Sequence, residues 1–149
     1  MGIIKEFQGE NRWLSNFSSV DIEYDGKTYP TVEHAYCAHK SLNDEWRLYC
    51  TNPLMHPSEV KKKGKDVKLR SDWEEVKITL MEELLKIKYN IEPYKTKLIN
   101  TKNDYIQEGN MWGDKYWGFC LKTNEGENIL GNIIMNIRKD IITNKNNYE

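Results

Sequence analysis

Apolar and polar residues alternate most clearly between Val20 and Tyr29. Val20, Ile22 and Tyr24 are interleaved with Asp21 and Glu23, the period of a half-buried strand. Asp25-Gly26 is a two-residue hairpin signal, because both turn positions want positive φ. Lys27-Thr28-Tyr29 supplies the returning strand. The period changes at Pro30-Thr31, where a proline and a capping hydroxyl begin a helix. Within it, Glu33, Tyr36, Cys37 and Lys40 fall at i, i+3, i+4 and i+7 and share one face. A carboxylate and an amine beside small and aromatic residues suit an active site, and suit a surface ion-pair stripe as well.

Around this stretch the pattern predicts further short elements. Ile3 to Phe7 reads as a short strand, and Trp13-Leu14-Ser15-Asn16-Phe17 as an ordered loop packed by its aromatics. Helices are expected from Asn43 to Cys50 and from Pro57 to Gly64. Ser71-x-x-Glu74 is a capping box that opens the longest helix, to about Asn90, with Trp73, Val76, Leu80, Leu84 and Ile87 on one side. Pro93 begins a helix carrying Tyr94 and Leu98, and Tyr105 to Gln107 and Trp117 to Leu121 are strands. Asn128 is placed to cap a last helix striped by Leu130, Ile133, Ile134, Ile137 and Ile141. The expected class is α+β, several helices packed around a small sheet, in one domain over residues 1–142. Residues 143–149 form a polar, frayed tail.

Composition narrows the chemistry. Hydrophobic residues are 38% and charged residues 30%, a globular balance. Lys plus Arg (22) nearly cancels Asp plus Glu (23), so no global basic field advertises nucleic-acid binding. The exception is Lys61-Lys62-Lys63-Gly64-Lys65 with Lys68 and Arg70, read as a solvated helix end or a phosphate contact. Three cysteines without C-x-x-C spacing fit a reducing compartment, and no apolar run approaches the roughly 18 residues of a membrane helix. A soluble cytoplasmic protein is expected.

Familiar phosphate-loop, dinucleotide, zinc-protease and hydrolase-elbow motifs are missing from the sequence. His34 and His39 are five apart, on different sides of a helix, which argues against a shared metal. Cys37 reads as a small core residue or as a nucleophile without an identified base. Glu33 lies in the first turn of its helix, where the dipole favours negative charge. Asp114 lies between Gly113 and Gly118 beside an aromatic pair, as a turn residue or a functional carboxylate.

Six elements then occur in an order that resembles the NADAR family, the YbiA-like N-glycosidases. They are Leu14-Ser15-Asn16-Phe17, Gly26-x-x-Tyr29-Pro30-Thr31, Glu33-His34 with Lys40, and Gly64 with Arg70-x-Asp72-Trp73, Lys77 and Met81. Asp114-x-x-Trp117-Gly118 and Gly126-x-Asn128-x-Leu130-Gly131-x-x-x-Met135-x-x-Arg138 complete the set. Each is short; together they span about residues 7 to 140.

The resemblance implies hydrolysis of an N-glycosidic bond between ribose and a base-like leaving group. Its substrates would be a phosphorylated ribosylamino-pyrimidine of riboflavin biosynthesis or an ADP-ribosyl group on guanine, with nucleic acid a partner in the second case. Breaking such a bond builds oxocarbenium character, which a fixed carboxylate stabilises while an acid or base moves the proton. Glu33 and Asp114 can fill those roles, without metal or cofactor. Lys40 holds Glu33 ionised, contacts a phosphate, or acts as an amine that traps ring-opened ribose as a Schiff base. Trp73 and Trp117 offer flat faces for a base, though Trp73 also suits core packing. Arg70 and Arg138 suit phosphate, and Asn16 and Asn128 ribose hydroxyls or local bracing. Phe17 and Gly118 complete the substrate-binding set. The competing reading is a non-catalytic ADP-ribose or nucleotide-binding module.

Overall fold

A computed structural model describes residues 2–148, with side-chain surroundings through residue 144. The first half runs β1 (Ile3–Ile4), a 3-10 helix (Gly9–Leu14), β2 (Ile22–Tyr24), β3 (Lys27–Tyr29), α1 (Val32–Ala38), α2 (Asp44–Tyr49) and α3 (Pro57–Gly64). The second half runs α4 (Trp73–Lys88), α5 (Tyr94–Asn100), β4 (Tyr105–Ile106), β5 (Gly109–Asn110), β6 (Phe119–Cys120) and α6 (Ile129–Tyr148). The class is α+β, as expected. The strands form three separate two-stranded ladders, β1-β4, β2-β3 and β5-β6, in place of one small sheet. The chain divides into two compact units, one of Asn16–Asn90 and one of the residues up to Ser15 with those from Ile91 onward.

In the Asn16–Asn90 unit, the hairpin forms where the alternation puts it. Ile22 pairs with Tyr29 and Tyr24 with Lys27, and the turn residues Asp25 and Gly26 take φ of 50° and 80°. The chain then enters α1 through Thr31, whose hydroxyl accepts the His34 amide at 3.1 Å. Every residue of α1 is buried, polar ones included, and α1 packs on α2, α3 and α4. At the α1–α3 crossing, a Cβ on Gly64 would stand 3.4 Å from Cys37 Sγ, so the small residue lets the helices approach.

Three local expectations are corrected here. The 3-10 helix ends at Leu14 through the Ser15 amide to the Arg12 carbonyl, so Trp13 is helical and the loop begins at Ser15, where the first unit gives way to the second along the chain. The Ser71 capping box does not form. Asp72 is the N-cap of α4 without a side-chain cap bond, its carboxylate being held by Arg70 at 2.6 and 3.1 Å. The buried stripe of α4 is Trp73, Leu80, Met81, Leu84, Leu85 and Lys88, whereas Val76 and Ile87 are half-buried. The centre of the stripe is set by what α1 and β2 present to α4.

In the other unit, β1 lies parallel to β4 and β5 parallel to β6. The β5 strand was not expected from the sequence. Leu130, Ile133, Ile134 and Ile137 are the buried face of α6, with Ile141 half-buried; burying each aliphatic side chain contributes about 1.5–3 kcal/mol. The α6 backbone is helical to Tyr148, through most of the segment expected to be a frayed tail; Glu149 and the side chains of 145–149 lie outside the described residues. Among the described residues no helix is long and apolar enough to cross a membrane.

Candidate active site

Glu33 is only 8% exposed. Its backbone amide donates to the Asn16 carbonyl at 3.1 Å, which ties the loop before the hairpin to the first turn of α1. Its Oε2 lies 3.6 Å from Cys37 Sγ, one helical turn on. Burial, with Glu33 adding to it, pushes the Cys37 thiol well above its ordinary range. Cys37 is therefore a protonated S–H that donates to the carboxylate, and the nucleophile reading of this cysteine is set aside. A carboxylate withdrawn from water acts strongly on any charge brought near it, which is how such groups become reactive.

The flanking histidines are architectural. His34 Nε2 is 2.7 Å from the Met55 carbonyl and Nδ1 is 2.7 Å from the Thr31 hydroxyl. A carbonyl only accepts, so Nε2 carries the proton and Nδ1 accepts from Thr31, consistent with the neutral ring that burial favours. His39 sits edge-on to Tyr24 and Tyr29, at 4.9 and 5.9 Å between ring centroids, and burial takes its pKa down to about 4. Arg47 joins the Ser41 carbonyl to Asp25 of the hairpin turn, at 3.0 and 3.1 Å. The histidine contacts pin the start and the end of α1 to Met55 and the hairpin tyrosines.

Lys40 lies just past the helix that carries Glu33. α1 stops at Ala38 with His39 as its cap, and Lys40 lies in the following turn. The Lys40 amide turns back to the Cys37 carbonyl, 3.3 Å away, and the Lys40 carbonyl accepts the Arg70 amide at 2.8 Å. That bond joins the Lys40 and Arg70-x-Asp72-Trp73 elements directly. Lys40 is half-buried, with Nζ 5.6 Å from the Tyr36 ring centroid. Trp73 is buried against Tyr36 at 5.2 Å, tilted by 56°. Asn16, besides holding Glu33, directs its side-chain Nδ2 to Met81 Sδ at 3.6 Å. Phe17 meets His56 edge-on at 6.2 Å, and Lys61 Nζ lies 5.9 Å from its centroid. Asn16, Phe17, Glu33, Lys40, Arg70 and Trp73 thus all belong to the Asn16–Asn90 unit.

The remaining predicted residues belong to the other unit. Asp114 Oδ1 accepts the amides of Tyr116 and Trp117 at 3.1 and 3.0 Å, closing a turn. Asn110 grips the same residue through its main chain, accepting the Asp114 amide at 3.0 Å and donating to its carbonyl at 2.9 Å. Trp117 is half-buried and meets Tyr116 edge-on at 5.1 Å. Gly118 is buried, and a Cβ there would fall 1.8 Å from Glu108 Oε2 and 2.4 Å from the Glu108 carbonyl, so only glycine fits. Asn128 does not cap α6 with its side chain. Its amide accepts from the Glu108 backbone and donates to the Ile106 carbonyl, both at 2.9 Å, bracing the β4–β5 segment. Arg138 is buried and donates to the Thr101 hydroxyl at 2.9 Å.

Sequence reasoning missed Asn110, whose only signal is an asparagine four residues ahead of the turn aspartate. It also missed Lys88, which lies on the buried side of α4 with no solvent exposure, where burial takes its amine down to about 7. No motif marks it.

The chain matches the NADAR domain model over residues 4–142. It is 31% identical over 144 residues to the N-glycosidase YbiA of Escherichia coli, covering 89% of this chain and 82% of that protein. It is 32% identical over 146 residues to the chloroplastic riboflavin biosynthesis protein PYRR of Zea mays, of which it spans only 23%. The solution structure of Escherichia coli YbiA superposes with a TM-score of 0.84 at 30% identity, over 97% of this chain and 87% of that one. With the buried Glu33, the Lys40–Arg70 junction and the Asp114 turn in the motif positions, the chain belongs to the NADAR family and is an enzyme of its glycosidase class.

Proposed function

We propose that this enzyme hydrolyses the N-glycosidic bond between ribose, carried as ribose 5-phosphate or ADP-ribose, and a base-like leaving group. The observation that carries this reading is Glu33, a carboxylate at 8% exposure anchored through its backbone to Asn16. As the C–N bond breaks, positive charge grows on the anomeric carbon, and a carboxylate shielded from water stabilises it far more than one in solvent. Asp114, in the other unit, has its orientation fixed by the two amides on Oδ1. Lys40 serves the substrate phosphate, because the neighbouring Arg70 guanidinium is already paired with Asp72. The names borne by the relatives, N-glycosidase and riboflavin biosynthesis protein, favour a ribosylamino-pyrimidine phosphate. The exposed lysines of α3 keep ADP-ribosylated guanine in nucleic acid as the other arm.

The test is an assay of the purified protein against the ribosylamino-pyrimidine phosphate and against ADP-ribosylated DNA, with products identified by mass spectrometry. Release of the free base, lost in Glu33→Gln, is the expected result. Binding without turnover in the wild type would leave a nucleotide-binding module instead. Borohydride added during turnover checks Lys40: a reduced adduct on it would replace the phosphate role with a Schiff base.

A further inference from the structure

We infer that Cys37 is the positioning residue of Glu33, its S–H holding Oε2 so that the carboxylate stays ionised and in one orientation. The inference rests on the reading of Glu33 given above. Cys37 is fully buried one helical turn after Glu33, with Sγ 3.6 Å from Oε2. Two neighbouring helices fix the cysteine itself. The Trp46 indole of α2 donates to the Cys37 carbonyl at 2.9 Å. On α3, a Cβ added to Gly64 would stand 3.4 Å from Sγ and 3.5 Å from the Cys37 Cβ, so that helix backs the thiol closely.

The proton in this pair has a preferred owner. A carboxylate accepts well and cannot donate, whereas sulfur is a weak acceptor. With the proton on sulfur, a donor faces a strong acceptor; with it on Glu33, the carboxyl would have to donate to sulfur. The first arrangement favours the ionised carboxylate and opposes the desolvation that would otherwise protonate it. Burial and Glu33 both raise the Cys37 thiol, so it remains a donor. Lys40 acts on the same thiol in the opposite sense as a cation, and Cys50 at the end of α2, itself pushed up to about 12 by burial, brings no charge at neutral pH. A thiol is also a weak donor. It leaves most of the charge on Glu33 for the developing oxocarbenium ion, where a guanidinium would draw it away.

The experiment compares wild type, Cys37→Ala, Cys37→Ser and Glu33→Gln in turnover and in the infrared S–H stretch. Kinetics use the ribosylamino-pyrimidine phosphate, or ADP-ribosylated DNA if that is the substrate cleaved. Cys37→Ala should lower kcat about fivefold to tenfold with KM unchanged, the value of one hydrogen bond. Cys37→Ser restores a donor and should recover most of that loss. In wild type the Cys37 S–H band should lie at the frequency of a hydrogen-bonded thiol, and it should shift upward in Glu33→Gln, a readout that needs no turnover. The band is assigned by its loss in Cys37→Ser, or by elimination with Cys50→Ser and Cys120→Ser if neither Cys37 variant folds. Unchanged kcat in Cys37→Ala beside an inactive Glu33→Gln overturns the inference and leaves the reading of Glu33 in place. Equal losses in the alanine and serine variants, or an S–H band that ignores Glu33→Gln, would assign the sulfur to packing and overturn it as well. Full turnover in Glu33→Gln, or none in wild type, would overturn the reading of Glu33 and this inference together.

Discussion

The two carboxylates singled out by sequence occupy opposite surroundings. Glu33 is buried in the wall of α1 next to a thiol, a weak donor. Asp114 is half-exposed and spends Oδ1 on two backbone amides, while Asn110 holds its main chain from the other side. A carboxylate satisfied by amides builds a turn. One sealed from water retains electrostatic power over whatever charge comes near it. Under the proposed function, this difference makes Glu33 the first residue to test and Asp114 the second, although both sit in equally short motifs.

The largest effect should come from Glu33→Gln, which removes the charge and keeps the shape. Turnover should fall on the order of a hundredfold or more, with the fold intact by circular dichroism. Unchanged turnover would erase the contrast.

Next in size is Lys88, another buried ionisable group of the Asn16–Asn90 unit. Its pKa falls from 10.5 to about 7 on folding, so between those values the unfolded chain holds the extra proton and stability rises with pH. Cys37 and Cys50, both raised by burial, act oppositely above their ordinary pKa of 9. The difference between wild type and Lys88→Met cancels their contribution. That substitution should stabilise the protein by about 3 kcal/mol at pH 7 and by less at pH 9 in urea melts. A gain independent of pH would mean that Lys88 stays charged in the fold.

Gly118→Ala tests the packing behind the Asp114 turn. A Cβ 2.4 Å from the Glu108 carbonyl forces the backbone to move, at a cost of about 2–3 kcal/mol. Smaller again is Asp114→Ala, expected to lose about 1–2 kcal/mol with its two amide contacts. Asp114→Asn keeps an acceptor at Oδ1 and should hold stability within about 0.5 kcal/mol. Comparing its turnover with that of wild type therefore separates chemistry from turn building. If the asparagine variant turns over normally, Asp114 is architecture alone and Glu33 acts without it.

What was legible in the sequence was whatever one residue imposes on its nearest neighbours. Asp25-Gly26 made the hairpin because their backbones tolerate positive φ. Thr31 capped α1 because its hydroxyl reaches the amide three residues on, and Pro57 opened α3 for a similarly local reason. The Ser71 capping box failed at equal range because Arg70 claimed Asp72 and the helix started one residue later.

Tertiary structure decided everything that depends on partners distant in the chain. Periodicity placed Lys40 on the face of Glu33. The chain leaves the helix at Ala38, and the Lys40 carbonyl accepts the Arg70 amide, thirty residues away. Burial of Lys88 and the proton on Cys37 likewise follow from packing that brings distant parts of the chain around α4 and α1. Residue types and spacing determined the family and its candidate carboxylates. Desolvation, which depends on the whole packed environment, decided which carboxylate is buried and which closes a half-exposed turn.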